Sequence, residues 1–376
     1  MDLDLNQDQT DQSQAVERLF AEASRDCDPV AAAERSWASL IAGGWPSIAI
    51  PEARGGYGGS ALEAGLIMRA AGRHALVTPF LSSILLGARA LAHLPRSADA
   101  DAALDAALGG HASLSFAHQE GEAINPPVSS VQAVPGPGGW RLVGRKHAVL
   151  GACKAAWLVV SASIATPTGA QPGVFLLPAR HDGVRMESWQ SLRGEDVADL
   201  KLEIEVQAGA CLLQGEAARE LMSRIADEGV ICLCWEALGA ATALLKHTVE
   251  YVTFRRQFGR PISEFQTVQH RLAEMAVLVE EGQAIAELAS LKIDTQQRSM
   301  MVSAAKVKIG RIARFIAETS VQLHGGIGVT EELYVARYFR LLTAFQATFG
   351  TADRHLARYA AATIPARSYA QSAILS

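Results

Sequence analysis

Apolar side chains recur at i, i+3 and i+4 through ERSWASLIAGGW, ALEAGLIMRAAGRHA and PFLSSILLGARALAHL, which predicts helices up to about residue 111. Between the first two, IAIPEARGGYGG is a proline- and glycine-rich connector that cannot continue a helix. From Ala112 the period drops to two. ASLSFAH, VSSVQAV, GWRLVGRKHAVL, AAWLVVSASI, GVFLLPA and LKLEIEV read as short strands, punctuated by PGPGG, TPTGAQPG and HDG, and predict a compact antiparallel barrel or sandwich. From Glu216 the helical period returns and holds almost to the end. EAARELMSRIADEGVICLCWEALGAATALLKHTVEYVTFRR, TVQHRLAEMAVLVEEGQAIAELASLKI and SAAKVKIGRIARFIAETSVQLH predict three long helices. LTAFQA followed by ADRHLARYAAA predicts a fourth, broken one, and four long antiparallel helices make a bundle. The expected organisation is therefore α+β: an N-terminal α-helical domain at 1–111, a central antiparallel β-barrel domain at 112–215 and a C-terminal four-helix bundle at 216–376.

Composition narrows the function classes. The chain has 376 residues, enough for two or three domains, and its apolar and charged fractions are those of an ordinary globular protein. A formal charge of −5 with no basic block argues against a nucleic-acid partner. The opening MDLDLNQDQTDQSQ is acidic and polar, the opposite of a targeting peptide, and no apolar run is expected to reach the roughly 18 residues of a membrane span. Cys27, Cys153, Cys211, Cys232 and Cys234 are odd in number and lack a CxxC pair. They read as buried thiols, neither disulfides nor metal ligands, so a soluble cytoplasmic protein is expected.

Two segments of the bundle and one helix break carry the candidate chemistry. In RRQFGRPISEFQTVQH (255–270), Phe258-Gly259 is read as ending a helix, and Phe265-Gln266 as opening the next. A charge (Arg255), an aromatic (Phe258) and two amides (Gln257, Gln266) crowd that corner, and a fork-shaped guanidinium beside amide donors suits a pyrophosphate. In QLHGGIGVTEE (322–332), three glycines in four residues allow a ligand close to the backbone. A lone GGxG is as readily a plain loop, and His324 as readily a structural hydrogen-bonder. In LLTAFQATFGTADRHLARY, Phe349-Gly350 interrupts an otherwise helical pattern, because glycine costs a helix interior about 1 kcal/mol relative to alanine.

RRQFGRPISEFQTVQHRLAEM and QLHGGIGVTEELYVARYFR together resemble two signatures of the acyl-CoA dehydrogenase family at the right separation, and GGWPSIAIPEARGGYGG resembles its first-domain signature. The resemblance covers the whole chain. It implies FAD as cofactor and oxidation of an acyl-CoA thioester between its α and β carbons. A glutamate takes the α proton, the flavin receives the β hydrogen as hydride, and an electron-transfer flavoprotein or similar acceptor reoxidises it. It also implies paired subunits, in which the corner and glycine loop of one hold the adenosine-diphosphate end of a flavin whose ring lies in the other. The residues expected to make those contacts are Arg255, Gln257, Phe258, Gln266, Gln322 and Gly326.

The chain departs from the family pattern at the reacting centre. The commonest position of the base, 27 residues after Gln322, holds Phe349, although Gly350 and Thr351 are kept. A second position used by some members aligns with Gly229. Glu228 beside it is a weak alternative base, since one helical step turns a side chain by about 100°; Asp227 and Glu228 otherwise read as solvated acids near a helix start. The family's Thr-Glu-Pro-x-x-Gly-Ser run corresponds to SFAHQEGEAINPP, with His118-Gln119-Glu120 and no Gly-Ser, and its Trp-Ile-Thr/Ser flavin platform corresponds to Ala148-Val149-Leu150. No catalytic residue is therefore assigned. The resemblance implies the base-less subunit of a heteromeric α2β2 enzyme, paired with a base-bearing acyl-CoA dehydrogenase subunit that takes the acyl-CoA. Fatty-acid and steroid side chains are both within the expected range of substrates. The alternatives are a homo-oligomeric dehydrogenase with an atypical base, a flavin-dependent hydroxylase of the same fold, and a scaffold without a flavin role.

Overall fold

Each early helix begins where the sequence supplies a cap. The computed structural model describes residues 5–25, 28–120, 129–167, 169–330 and 334–363. Helix α1 (Gln7–Ala23) opens on an Asn6/Gln9 capping box, α2 (Pro29–Ala42) on Asp28 with proline in the first turn, and α3 (Ala61–Arg73) on a Ser60/Glu63 box. The connector before α3 doubles back tightly enough that a Cβ on Gly56 or Gly59 would strike the carbonyls of Ile50 or Ile48. PFLSSILLGARALAHL differs from the expected single α-helix. Phe80–Ala88 winds as π-helical turns before the short α4 (Arg89–Ala92), and all nine residues are buried. A segment with no solvent face has no amphipathic stripe to enforce a period, so packing sets its winding. Helix α5 (Ala98–Leu108) leads into the sheet.

The central strands are β1 (Ser113–Ala117), β2 (Gln132–Gly136), β3 (Gly139–Leu150), β4 (Ala155–Thr166), β5 (Gly169–Pro178), β6 (Val184–Gln190), β7 (Asp196–Gln207) and β8 (Cys211–Gln214). They form one eight-stranded sheet in the order β6-β7-β3-β2-β4-β5-β8, with β1 beside β4. The sheet is mixed, which corrects the all-antiparallel expectation: β1 and β2 run parallel to β4, and the other pairs are antiparallel. Alternation of polar and apolar residues reports the face a side chain takes; it says nothing about the direction of a strand paired far along the chain. The curled sheet encloses its own apolar core, including Leu142, Leu158, Phe175, Leu200 and Ile204.

Helices α6 (Glu216–Phe254), α7 (Gln266–Leu291) and α8 (Arg298–His324), with α9 (Tyr334–Ala347) and α10 (Ala352–Thr363) as the broken fourth, follow the sequence pattern closely. Contrary to expectation, α6 contains an 18-residue window apolar enough by composition to cross a membrane, with a mean hydropathy of 1.5. That window is 83% buried inside the protein. Trp235 lies at the centre of α6, donating its indole N–H to Ser290 Oγ at 3.0 Å. Of the cysteines, Cys232 and Cys234 are buried, whereas Cys153 and Cys211 are only partly so; Cys27 lies outside the described residues.

Candidate functional site

The candidate chemistry falls in two places: the exposed corner at one end of the bundle, and the buried cavity under the break in its fourth helix.

At the corner, α6 ends at Phe254, four residues earlier than Phe258. Phe258-Gly259 instead forms the two-residue turn of a miniature hairpin, β9 (Arg256–Gln257) with β10 (Arg260–Pro261). Phe258 and Gly259 have φ of +53° and +81°, the left-handed pair that a tight hairpin of this twist requires. The turn lifts Phe258 almost wholly into solvent, 91% exposed, edge-on to Phe265, whose face carries the Arg260 guanidinium at 4.1 Å. Arg255, Gln257, Gln266, Gln322 and Gly326 are exposed as well. The Arg255 guanidinium engages no other side chain or carbonyl among the described residues, and Gln266 stands at the first turn of α7.

The glycine loop lies beside this corner. Tyr251, one turn before Arg255, stacks on His324, the last residue of α8, with ring centroids 4.2 Å apart, and donates its hydroxyl to His324 O at 3.2 Å. One turn earlier, Thr248 Oγ1 and Ser320 Oγ bond at 3.0 Å. The three glycines have different reasons to be there. Gly325 has a left-handed φ of +68°, and a Cβ on Gly328 would fall 2.9 Å from His324 Cβ. Gly326 has neither constraint: its φ is not left-handed and a Cβ would meet nothing within 4 Å. The chain's own fold does not need a glycine at 326, and the space over it is open to something from outside.

At the other place, α9 stops at Ala347 and the chain turns through Phe349 (φ +55°) and Gly350 (φ +100°) into α10. Two buried bases hold this break. Lys306 of α8 donates to the carbonyls of Phe345 and of Thr348 (2.9 Å), and sits 3.6 Å from the centroid of the Phe345 ring. His355 donates Nε2–H to Phe349 O at 3.0 Å and accepts at Nδ1 from Ser303 Oγ at 3.2 Å. Burial pushes Lys306 down to about 7 and His355 down to about 4.

Phe349 reaches a cavity lined by Leu86, Phe116, His118, Ala148-Val149-Leu150 and Ala226 that holds only about 20 Å³, the space of a single water. Gly229 faces the same spot: a Cβ there would fall 3.4 Å from the Phe349 ring and 2.8 Å from Leu86. Asp227 and Glu228 are not solvated, contrary to the sequence reading, but 0% and 2% exposed. They lie well inside α6, where the packed N-terminal and bundle helices cover them. Asp227 accepts a fork from Arg358 (2.5 and 3.0 Å) and a bond from Arg298 (3.1 Å), tying α10 and α8 to α6. Glu228 is paired to Arg89 and to Arg224 (2.9 Å), and Arg89 also donates to Ala49 O. Both Glu228 oxygens already accept from guanidiniums and Glu228 does not line the cavity at Phe349, which removes the motive for Glu228 as a base.

Above the cavity, the barrel has a polar interior that the sequence reading missed. Lys146 is buried, pushed down to about 8 by that burial, and is paired with Glu120; it also donates to Ser129 Oγ (2.9 Å) and Ser161 Oγ (2.8 Å). Ser161 Oγ in turn meets His118 Nδ1 at 2.9 Å. His118 and Glu120 thus face into the barrel; residues 121–128 of that run lie outside the described residues. The signal available in the sequence was Lys146 itself, a cation at an inward position of β3.

Comparison with known proteins places this geometry. The family described as acyl-CoA dehydrogenase, C-terminal domain, matches residues 219–364. Acyl-CoA dehydrogenase FadE27 of Mycobacterium tuberculosis is 31% identical over 339 residues, covering 86% of each chain. The chain belongs to the acyl-CoA dehydrogenase family. Among solved structures, this acyl-CoA dehydrogenase superposes on a chain of the ChsE4-ChsE5 complex from Mycobacterium tuberculosis with a TM-score of 0.86 at 26% identity, over 97% of this chain and 100% of that one. It superposes on the steroid ACAD Tcur3481-Tcur3483 with a TM-score of 0.79 at 26% identity, over 94% and 97% of the two chains.

FAD is the cofactor of this family, and the two places fit it unequally. The open space over Gly326, beside the uncommitted Arg255 fork and exposed amides, suits a diphosphate and its nucleoside. The 20 Å³ cavity does not suit a flavin ring, and the residues around it supply no carboxylate.

Proposed function

We propose that this acyl-CoA dehydrogenase is the base-less subunit of a heteromeric enzyme, and that its bundle completes the FAD site of a base-bearing partner. The observation that carries the reading is the cavity at Phe349. Both positions at which the family resemblance would place a base, 349 and 229, converge there, and the space is filled by Phe349 and Leu86. The groups proposed to face the cofactor at the far end of the bundle stay exposed. The likeness to a chain of the two-protein ChsE4-ChsE5 complex supports a heteromeric assembly; α2β2 with fewer flavins than chains is the form the family resemblance implies.

In such an assembly Arg255, Gln257, Phe258, Gln266, Gln322 and Gly326 hold the diphosphate and adenosine. The bound flavin supplies the hydride acceptor for α,β-desaturation. The partner supplies the carboxylate and the acyl-CoA pocket, and an electron-transfer flavoprotein or similar acceptor completes the turnover. The likeness to a steroid ACAD supports bulky acyl groups such as steroid side chains.

Two measurements test this. Purified alone, the chain is expected to be colourless and inactive, and to acquire FAD only with a base-bearing partner; stoichiometric FAD on the isolated chain would overturn the reading. Restoring the carboxylate with Phe349→Glu should not create a second active site, because a base accelerates proton removal only where carbonyl and acceptor are already placed. The readout is flavin reduction by acyl-CoA in a complex whose partner has lost its own base. More than a trace rate there would mean that this subunit holds a nearly complete site.

A further inference from the structure

We infer that the Tyr251–His324 stack is the positioning element of the cofactor half-site, fixing the spacing between its two separately encoded halves. The inference rests on the proposed function and goes beyond it, since neither residue belongs to the contact set.

The corner and the glycine loop come from different helices about 70 residues apart in sequence, so neither can place the other through local backbone alone. The stack joins them at both ends. The backbone carbonyl of Tyr251 accepts from Arg255 N at 2.8 Å, and Arg255 O accepts from Ile262 N at 2.8 Å, so a hydrogen-bonded backbone one helical turn long connects Tyr251 to the corner. His324 immediately precedes Gly325, and Gly328 closes against its Cβ, so its ring is packed under the loop. The imidazole is held firmly: it is 3% exposed, and Nδ1–H donates to Ser320 O at 2.8 Å. Tyr334 stands edge-on at 6.2 Å, and His247 lies against Tyr334 at 4.3 Å, so α9 supports the stack from behind.

The second nitrogen gives the inference its sharpest form. His324 Nε2 is buried and has no hydrogen-bond partner among the described residues. If the ring acts by its shape and stacking, that nitrogen is dispensable. His324→Phe should then keep the stack and the half-site, whereas His324→Ala should lose them.

The test uses the complex with the base-bearing subunit, stripped of flavin and titrated with FAD and, separately, with FMN, which lacks the adenosine monophosphate end. Assembly is checked by size-exclusion chromatography. His324→Ala is expected to weaken FAD at least tenfold while FMN stays within about twofold, and His324→Phe to leave both within about threefold of wild type. Equal weakening of FAD and FMN would show general disruption and overturn the inference. So would a His324→Phe variant as weak as His324→Ala, since the nitrogen and not the stack would then be what matters. Arg255→Ala separates this from the underlying reading. If that variant loses FAD while His324→Ala does not, the half-site stands and the stack's role is overturned; if both are silent, both fall. Should His324→Ala fail to assemble, Tyr251→Leu removes the stack from the other side and carries the same expectation.

Discussion

The two ends of the bundle treat their polar groups in opposite ways. Under Phe349, every ionic group described is committed: Asp227 to two arginines, Glu228 to two more, Lys306 to carbonyls at the end of α9. At the corner, Arg255, Gln266 and Gln322 are exposed and make no side-chain hydrogen bond or ion pair among the described residues. One end satisfies its polar groups internally, and the other leaves them at the surface, as the proposed cofactor role requires. A protein that had simply lost its function would have no reason to keep that distinction, because unneeded surface groups drift while unneeded cavities merely fill.

The distinction can be broken at either end. The largest effect is expected from Asp227→Ala, which strands Arg358 beside a buried gap and leaves Arg298 with Glu220 alone. Removing one partner of a buried pair typically costs about 3–5 kcal/mol. Denaturant unfolding of the isolated chain should show that loss, while FAD affinity of any complex that still assembles stays near wild type. A matching loss of flavin would erase the separation between the ends.

Acid should act on the filled end next. His355 has a folded pKa of about 4 against an ordinary 6.5, because burial opposes its charge. Below pH 6.5 the unfolded chain takes up a proton that the folded chain refuses until about pH 4, so stability falls as pH falls through that window. The linkage amounts to about 2–3 kcal/mol between pH 7 and pH 4.5. His355→Gln should flatten this acid limb in urea melts at the two pH values; an unchanged slope would remove His355 from the account.

At the open end, Arg255→Ala should leave stability within about 0.5 kcal/mol and weaken FAD in the complex by roughly ten- to hundredfold, the worth of a charge-assisted bond to phosphate. Full flavin content in that variant would sink the half-site assignment. The smallest effect on the fold is expected from Gly326→Ala, whose new methyl meets nothing in this chain. Stability should hold or rise by up to about 1 kcal/mol, yet FAD affinity should fall several-fold. Gly328→Ala is the control, since its Cβ presses on His324 and thermal melting should show the strain directly.

Much of this was legible before any coordinates. Helical and two-residue periods marked the helices and strands, because burial of one face dictates both. The order helix, sheet, helix followed from where the period changes. The six residues that the family resemblance proposes for the cofactor all lie at the surface, on the corner and on the loop that the Tyr251–His324 contact brings together. What stayed hidden was non-local. Parallel pairing of β1 and β2 with β4 leaves no mark on alternation. The positive φ of Phe258 belongs to a hairpin turn that a helix-ending reading cannot anticipate. Asp227 and Glu228 looked like solvent-facing acids because three of their arginine partners come from 71 to 139 positions away, at Arg298, Arg358 and Arg89. Local sequence carries no trace of such pairings.

Helix α6 has one more consequence, which concerns length. It runs unbroken from Gly229, at the filled cavity, to Phe254, next to the corner, so about 25 steps of 1.5 Å set roughly 37 Å between the two ends. A rod of that kind is a ruler with a phase. One inserted alanine between Cys234 and Lys246 would advance the corner by about 1.5 Å and rotate Tyr251 by about 100° off His324, without altering any residue named at either end. An insertion of a whole turn would nearly restore the phase but shift the reach by about 5.4 Å. The residue count along this stretch of helix is therefore itself part of the cofactor site, and subunits that share a partner should share that count even where their side chains differ.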